Sequence, residues 1–180
     1  MNLVPEMFLS KWHLITLGMI IVAWIALGIG GYDRKTVLRS GLGATVLLYV
    51  ITTAAIAPFV QYKDAVEKRM IAELDRQYAA RQESGQELSG SDQLAAAAAA
   101  FREDTSYIMY IYAGNYSESE PFTGSLIMRI YDDSGKLLQE ETYEKLTLKP
   151  GEKKKLDSLY SSKSGGKYEY QFTSLSSEGS

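Results

Sequence analysis

Residues 40–62, SGLGATVLLYVITTAAIAPFVQY, run from Ser40 to Tyr62 without a charged side chain. As a helix rising about 1.5 Å per residue the stretch reaches about 34 Å, enough to cross a bilayer's hydrocarbon core of about 30 Å. A second apolar run occupies residues 14–29 and continues through Gly30, Gly31 and Tyr32. Past Gln61 the chain turns polar, rich in Glu, Lys, Ser, Gly and Tyr. The expected fold is a two-helix transmembrane hairpin plus a helical stalk, followed by a small all-β antiparallel sandwich.

That order sets boundaries along the chain. We expect a leader at 1–11, a first span at 12–32, a short basic loop at 33–39 and a second span at 40–62. An amphipathic stalk helix follows at 63–82, a linker and Ala-rich helix at 83–103, a β-sandwich at 104–175 and a frayed tail at 176–180.

Composition excludes several functions. A net charge of −3 gives no support to a nucleic-acid partner, which favours a basic surface. Cysteine is absent, so there is no disulfide, thiol nucleophile, Cys-based zinc site or lipidated cysteine.

Before the first apolar run the only base is Lys11, and the run is longer than a usual signal-peptide core, which favours an uncleaved span over a secretory signal. Trp12 and Tyr32 bracket the first span and Tyr62 closes the second, the placing of membrane-interface anchors. His13, the sole histidine, reads as an interfacial polar residue rather than a ligand. Inward of it neither span carries an ionisable group, which argues against an ion path or transport site. Pro58 reads as a helix-end feature. Ala26, Gly30, Gly41, Gly43, Ala44, Ala54 and Ala55 offer small surfaces for close helix packing, within the hairpin or between copies.

The loop DRKTVLR carries Arg34, Lys35 and Arg39, and the positive-inside rule places it in the cytoplasm with both termini outside. Lys11, Lys63, Lys68, Arg69 and Arg76 pull toward the opposite orientation. In the stalk, Val66, Met70, Ile71, Leu74 and Tyr78 make one apolar stripe. That stripe serves self-association, a surface-lying helix, or packing on its own domain. Residues 83–92 are a Gly/Ser linker, and the six alanines of LAAAAAAFRED have high helix propensity but bury little, the mark of a spacer or lightly packed helix.

From Asp104 the period changes. TSYIMYIYA is apolar on both faces, as a central strand is, while SLIMRIYD sets Leu126, Met128 and Ile130 on one face. KLLQEETYEKLTL is a strand or two, KKKLDSLY another, and KYEYQFTSL alternates Tyr168, Tyr170 and Phe172 against Lys167, Glu169 and Gln171. Asp133-Ser134-Gly135, Lys149-Pro150-Gly151-Glu152 and Ser164-Gly165-Gly166 are turns.

The run Met128-Arg129-Ile130-Tyr131-Asp132, then Asp133-Ser134-Gly135-Lys136 and Leu148-Lys149-Pro150-Gly151-Glu152, resembles the FxLYD domain, a small immunoglobulin-like sandwich of bacterial and archaeal envelope proteins. Only Tyr131 and Asp132 match the naming motif strictly; Met128 and Ile130 stand where Phe and Leu would. The resemblance covers residues 105–175, implies an extracytoplasmic setting, and carries over no catalytic residue.

Lys153, Lys154 and Lys155 form the one basic run, a candidate contact for an anionic surface or a guard on an edge strand. Asn115-Tyr116-Ser117 matches an N-glycosylation acceptor, and Asp132 and Asp133 fit turn stabilisation better than calcium. No nucleophile has a recognisable partner, so no enzyme, no metal and no cofactor are expected. The functional expectation is a non-catalytic binding module at the bacterial cell membrane, with two spans and an extracytoplasmic C-terminal domain. Its partners are the lipid bilayer and an envelope or membrane protein or another copy. The alternative is an accessory membrane subunit of a transporter or sensor complex acting through its hairpin.

Overall fold

The computed structural model describes residues 8, 10–83 and 89–174. Most of the expected leader (1–7 and 9), the middle of the expected linker (84–88) and the expected tail (176–180) lie outside the described residues. The chain forms two compact units, Met1–Val66 and Glu67–Ser180.

In the first unit, α1 (His13–Ile29) packs antiparallel to the first part of α2 (Arg34–Glu83). Gly31, at φ +71°, makes the reversal. Asp33 then caps α2: its carboxylate accepts the Lys35 and Thr36 amides at 3.1 Å and the Thr36 hydroxyl at 2.6 Å. The Thr36 hydroxyl and amide hold the Asp33 carboxyl below its ordinary range. This cap starts the helix at Arg34, so most of the expected loop at 33–39 is helix.

Among the described residues α2 is the one helix long and apolar enough to cross a membrane; α1, with 17 residues, is a shorter apolar helix spanning about 25 Å. The expected first span at 12–32 is therefore longer than the helix found there. Pro58 lies inside α2, not at its end. Proline removes only its own amide from the ladder, and local adjustment absorbs the loss in long apolar helices.

The hairpin seam is polar. Thr16, 3% exposed, donates from its hydroxyl to Thr52 at 2.7 Å. Trp24 Nε1 donates to the Thr45 hydroxyl at 3.1 Å, and His13 Nε2 lies 3.2 Å from the Thr53 hydroxyl. Those three threonines of α2 donate in turn to the carbonyls one turn back, Gly41, Leu48 and Tyr49. A Cβ on Gly41 would sit 2.8 Å from the Trp24 ring, so the glycine makes room for the indole. Outside the seam Leu14, Val22, Ile29, Val46, Leu47 and Phe59 are all exposed.

The second unit contains the end of α2, a 3₁₀ turn at Gly90–Gln93 and six strands: β1 (Leu94–Glu103), β2 (Ser106–Asn115), β3 (Phe122–Tyr131), β4 (Leu137–Leu148), β5 (Lys153–Ser161) and β6 (Lys167–Ser174). All pairings are antiparallel and build two three-stranded sheets, β1-β2-β5 and β4-β3-β6. The strand expected to be central, β2, is central in its sheet, and β3, expected to alternate, is central in the other. Leu94, Ala96, Ala98, Met109 and Ile111 from one sheet meet Leu126, Met128, Ile130 and Leu148 from the other, with Tyr168, Tyr170 and Phe172 packed at the margin.

Two ends result. The hairpin turns 104–105 and 132–136 and the sheet-to-sheet turn 162–166 share one, where the Gly166 amide donates to the Tyr131 carbonyl and Lys163 Nζ approaches Asp132. Segments 89–93, 116–121 and 149–152 share the other, where the Gly151 amide donates to Ser117 and the Tyr116 amide to Gln93.

The alanine run corrects the expectation for residues 94–103. It is not a helix but β1, paired with β2 from Leu94↔Asn115 to Glu103↔Ser106. Ala96 and Ala98 face the core, while Ala95 and Ala97 on the opposite face are fully buried as well. Intrinsic helix propensity, worth a few tenths of a kcal/mol per residue, yields to ten ladder pairings and two covered faces. The sandwich accordingly begins at Leu94, ten residues before the expected boundary.

The end of α2 covers the outer face of the first sheet. Met70 and Leu74 are fully buried, and Leu74 Cδ1 would lie 3.5 Å from a Cβ on Gly114, the partner of Ala95. Burying two such side chains contributes about 1.5–3 kcal/mol each. Of the readings open for the stalk stripe, the structure selects packing on its own domain.

Candidate functional site

The end of the sandwich built from 89–93, 116–121 and 149–152 carries a cluster of bonded polar groups. Its foundation is Asn115, 1% exposed. The amide Nδ2 donates to Glu120 O at 2.8 Å and Leu148 O at 3.3 Å, and Oδ1 accepts the Ser117 amide at 3.0 Å. One side chain thereby clamps the β2–β3 loop to the end of β4. The glycosylation reading of Asn115 fails on the same facts: the nitrogen that would be modified is buried and bonded to two carbonyls.

Above this clamp Tyr116 leaves β2 toward α2. Its ring stacks on Tyr78 at 4.1 Å, its hydroxyl donates to Asp75 Oδ1 at 2.6 Å, and Lys153 Nζ reaches the same oxygen at 2.5 Å while lying 4.6 Å from the Tyr116 ring centroid. Burial, with the Asp75 hydrogen bond and charge, pushes the Tyr116 hydroxyl far up. Burial acts to raise Asp75 as well, but hydrogen bonds from Lys153 and Tyr116 outweigh it and hold the carboxyl below its usual range.

A second cluster fixes α2 to β6. The Gln77 amide donates to the Tyr168 hydroxyl, which donates to Glu73 Oε1 at 3.3 Å; Tyr170 donates to Gln77 Oε1 at 3.1 Å. Arg81 bonds the Tyr170 hydroxyl and donates to Leu94 O at 2.8 Å and Asp92 O at 3.0 Å. These tyrosines, readable in sequence as one face of a strand, turn out to hold the helix as well as the core.

Between the clamp and β6 lies an open cleft of about 410 Å³, lined by Gln93, Ser117, Glu120, Phe122, Thr123 and Ser174. A neighbouring cleft of about 420 Å³ lies beside the same loop, against Tyr78, Tyr116 and Ser119. Polar groups share the first wall with Leu94, Pro121 and Phe122 and predominate in the second, which suits a polar or hydroxylated surface. Among the described residues no group of three or more His, Asp or Glu is placed to hold a metal ion. Sequence reading passed over this cleft, because Ser, Gln and Glu in loops carry no periodic signal.

Alternation along β5 separates the three lysines. Lys153 turns to Asp75 and Lys155 lies 4.5 Å from the Tyr110 ring centroid, both on the helix-covered side of the sheet. Lys154 points the other way and donates to Thr147 O at 2.7 Å. β5 is an edge strand, as the guarding role requires. Trp12, Tyr32 and Tyr62 are exposed at 63%, 61% and 43%. Asp132 stabilises its turn: Oδ1 accepts the Ser134 hydroxyl at 2.5 Å and the Ser134 and Lys136 amides at 3.0 Å.

No protein-family model matches the chain, and no curated protein matches it. Among solved structures, a DUF1425 family member from Shewanella sp. pv-4 is similar over 47% of this chain and 81% of its own, at 12% identity and a TM-score of 0.34. A likeness of that degree carries no argument about function.

Proposed function

We propose that this chain is a membrane-anchored binding module of the bacterial envelope: a two-span helical hairpin holding a non-catalytic sandwich outside the cytoplasmic membrane. The observation that carries the reading is the inside-out hairpin, with hydroxyls, indole and imidazole bonded along the seam and Leu, Ile, Val and Phe facing outward. In water so large an apolar exterior would drive aggregation; in lipid it is the favourable arrangement. α1 reaches the full thickness when the aromatic flanks Trp12 and Tyr32 sit in the headgroup layers.

The sandwich supports the second half of the reading. Two antiparallel sheets of short strands, with the chain crossing between them after β2, β4 and β5, have the architecture of an immunoglobulin-like sandwich. That fold and the Tyr131-Asp132 turn favour the FxLYD-like assignment, and the polar cleft beside Ser174 is where a partner docks.

The test uses the absence of cysteine. A Ser174→Cys variant in intact cells, treated with a membrane-impermeant maleimide carrying a photo-crosslinker, is expected to label and, on irradiation, to yield a crosslinked species. Thr36→Cys is expected to stay unlabelled. Labelling at Thr36 with none at Ser174 would reverse the orientation. Labelling at Ser174 with no crosslinked species would remove the cleft as a docking site.

A further inference from the structure

We infer that the end of the sandwich built from turns 104–105, 132–136 and 162–166 rests on the lipid headgroup layer; the inference depends on the membrane reading above. Three observations meet there.

The first is the path of α2 within the second unit. Arg69 lies 5.4 Å from the Phe101 ring centroid, near the β1–β2 turn, whereas Arg81 bonds Asp92 and Leu94 at the opposite end of β1. Glu67, where this unit begins, therefore stands at the turn-104 end. The second is chain length. Glu67 follows Tyr62, the last residue of the uncharged stretch, by five residue steps, which reach at most about 18 Å even fully extended. A headgroup and interfacial layer several ångströms deep bounds the hydrocarbon, so the tether keeps this end within reach of it.

The third is the distribution of apolar surface. Among the described residues of the sandwich unit, the large hydrophobic side chains that stay exposed are Leu137 at 46% and Tyr160 at 73%. Leu137 opens β4 directly after turn 132–136, and Tyr160 precedes turn 162–166; the cleft end has no counterpart. An aliphatic side chain and a tyrosine with a polar tip suit the boundary between acyl chains and headgroups. Arg102, Lys136, Lys163 and Lys167 are matched there by Glu103, Asp104, Asp132 and Asp133, so contact rests on insertion rather than on anionic lipid.

The experiment places a fluorescent thiol label, one at a time, in the full chain in phosphatidylcholine vesicles. Thr105→Cys and Ser162→Cys report the turn end, Ser119→Cys the cleft end, and Val46→Cys the uncharged stretch. A nitroxide on the lipid headgroup is expected to remove most fluorescence at 105 and 162 and to leave 119 bright. Adding Tyr160→Ser and Leu137→Ser to the Ser162→Cys chain is expected to bring its quenching down to the level at 119. Equal quenching at both ends, or none at either, overturns the proposal provided Val46 is quenched by a nitroxide in the acyl chain. If Val46 also stays bright, the membrane reading fails and takes this inference with it.

Discussion

The hydroxyl of Tyr116 donates to Oδ1 of Asp75 at 2.6 Å, joining the first residue beyond β2 to the helix that covers its sheet. Lys153 shares that oxygen, so one carboxylate holds a loop, an edge strand and α2 together. Tyr116→Phe removes a single bond and is expected to cost about 1 kcal/mol. Asp75→Ala, on a half-exposed group, is expected to cost about 1–2 kcal/mol. Both are read as shifts in the urea midpoint by near-UV dichroism, since the sandwich holds no tryptophan. Unchanged midpoints would mean the bonds are not formed in solution.

Ala95 has no free volume beside it: it is fully buried and paired with Gly114, where an added Cβ would lie 3.5 Å from Leu74 Cδ1. Ala95→Leu is expected to destabilise the sandwich by about 1–3 kcal/mol through overpacking, although leucine is no worse than alanine as a strand former. Leu74→Ala on the facing helix opens a cavity and is expected to cost about 2–5 kcal/mol. In the double variant the added bulk meets the space left by Leu74, so the combined loss should fall short of the sum. Strict additivity would place the two side chains in separate environments.

Asn115→Ala removes the donor to the buried Leu148 carbonyl and to the part-buried Glu120 carbonyl, and frees the Ser117 amide. The expected loss is about 2–3 kcal/mol, with hydrogen-exchange protection falling first at residues 117–121. Protection lost uniformly across the sandwich, with no lead at that loop, would show that Asn115 is not a local clamp.

Asp132 contributes to the acid limb of stability. The Ser134 hydroxyl, the Lys136 amide and the other bonds to its carboxylate bring its pKa down to about 2 in the folded chain, against an ordinary 3.8. A depressed carboxyl stabilises the fold above its unfolded value, and the contribution is lost as pH falls from about 4 to about 2. The wild-type melting temperature should drop across that window, and Asp132→Asn should flatten this part of the profile while lowering the plateau. A profile identical in slope would assign the acid limb to other carboxylates.

β2 was legible as a central strand because both its faces are apolar, and β3 as a strand because Leu126, Met128 and Ile130 alternate onto its inner face. Turns were legible from Gly135 and Gly151, both at positive φ. β1 was not, because six alanines have no alternation to read and the residues that bury them come from α2, β2 and the facing sheet. A signal did exist in Asp104-Thr105, a two-residue connection with Asp104 at φ +50°. The polar seam of the hairpin was likewise hidden, since threonine scattered in an apolar run gives no hint of which face it occupies. His13 opens α1, and its contact with Thr53 could be seen only with the second helix in place.

An alanine strand also has a consequence in time. Left to itself, LAAAAAAF is among the better helix-forming stretches of the chain, so its local preference opposes its final state. It becomes a strand only when β2 is present to pair with it and α2 to cover it. The closing of β1 into its sheet is therefore expected to wait on β2 and α2, and an isolated 94–101 peptide to favour helix over strand.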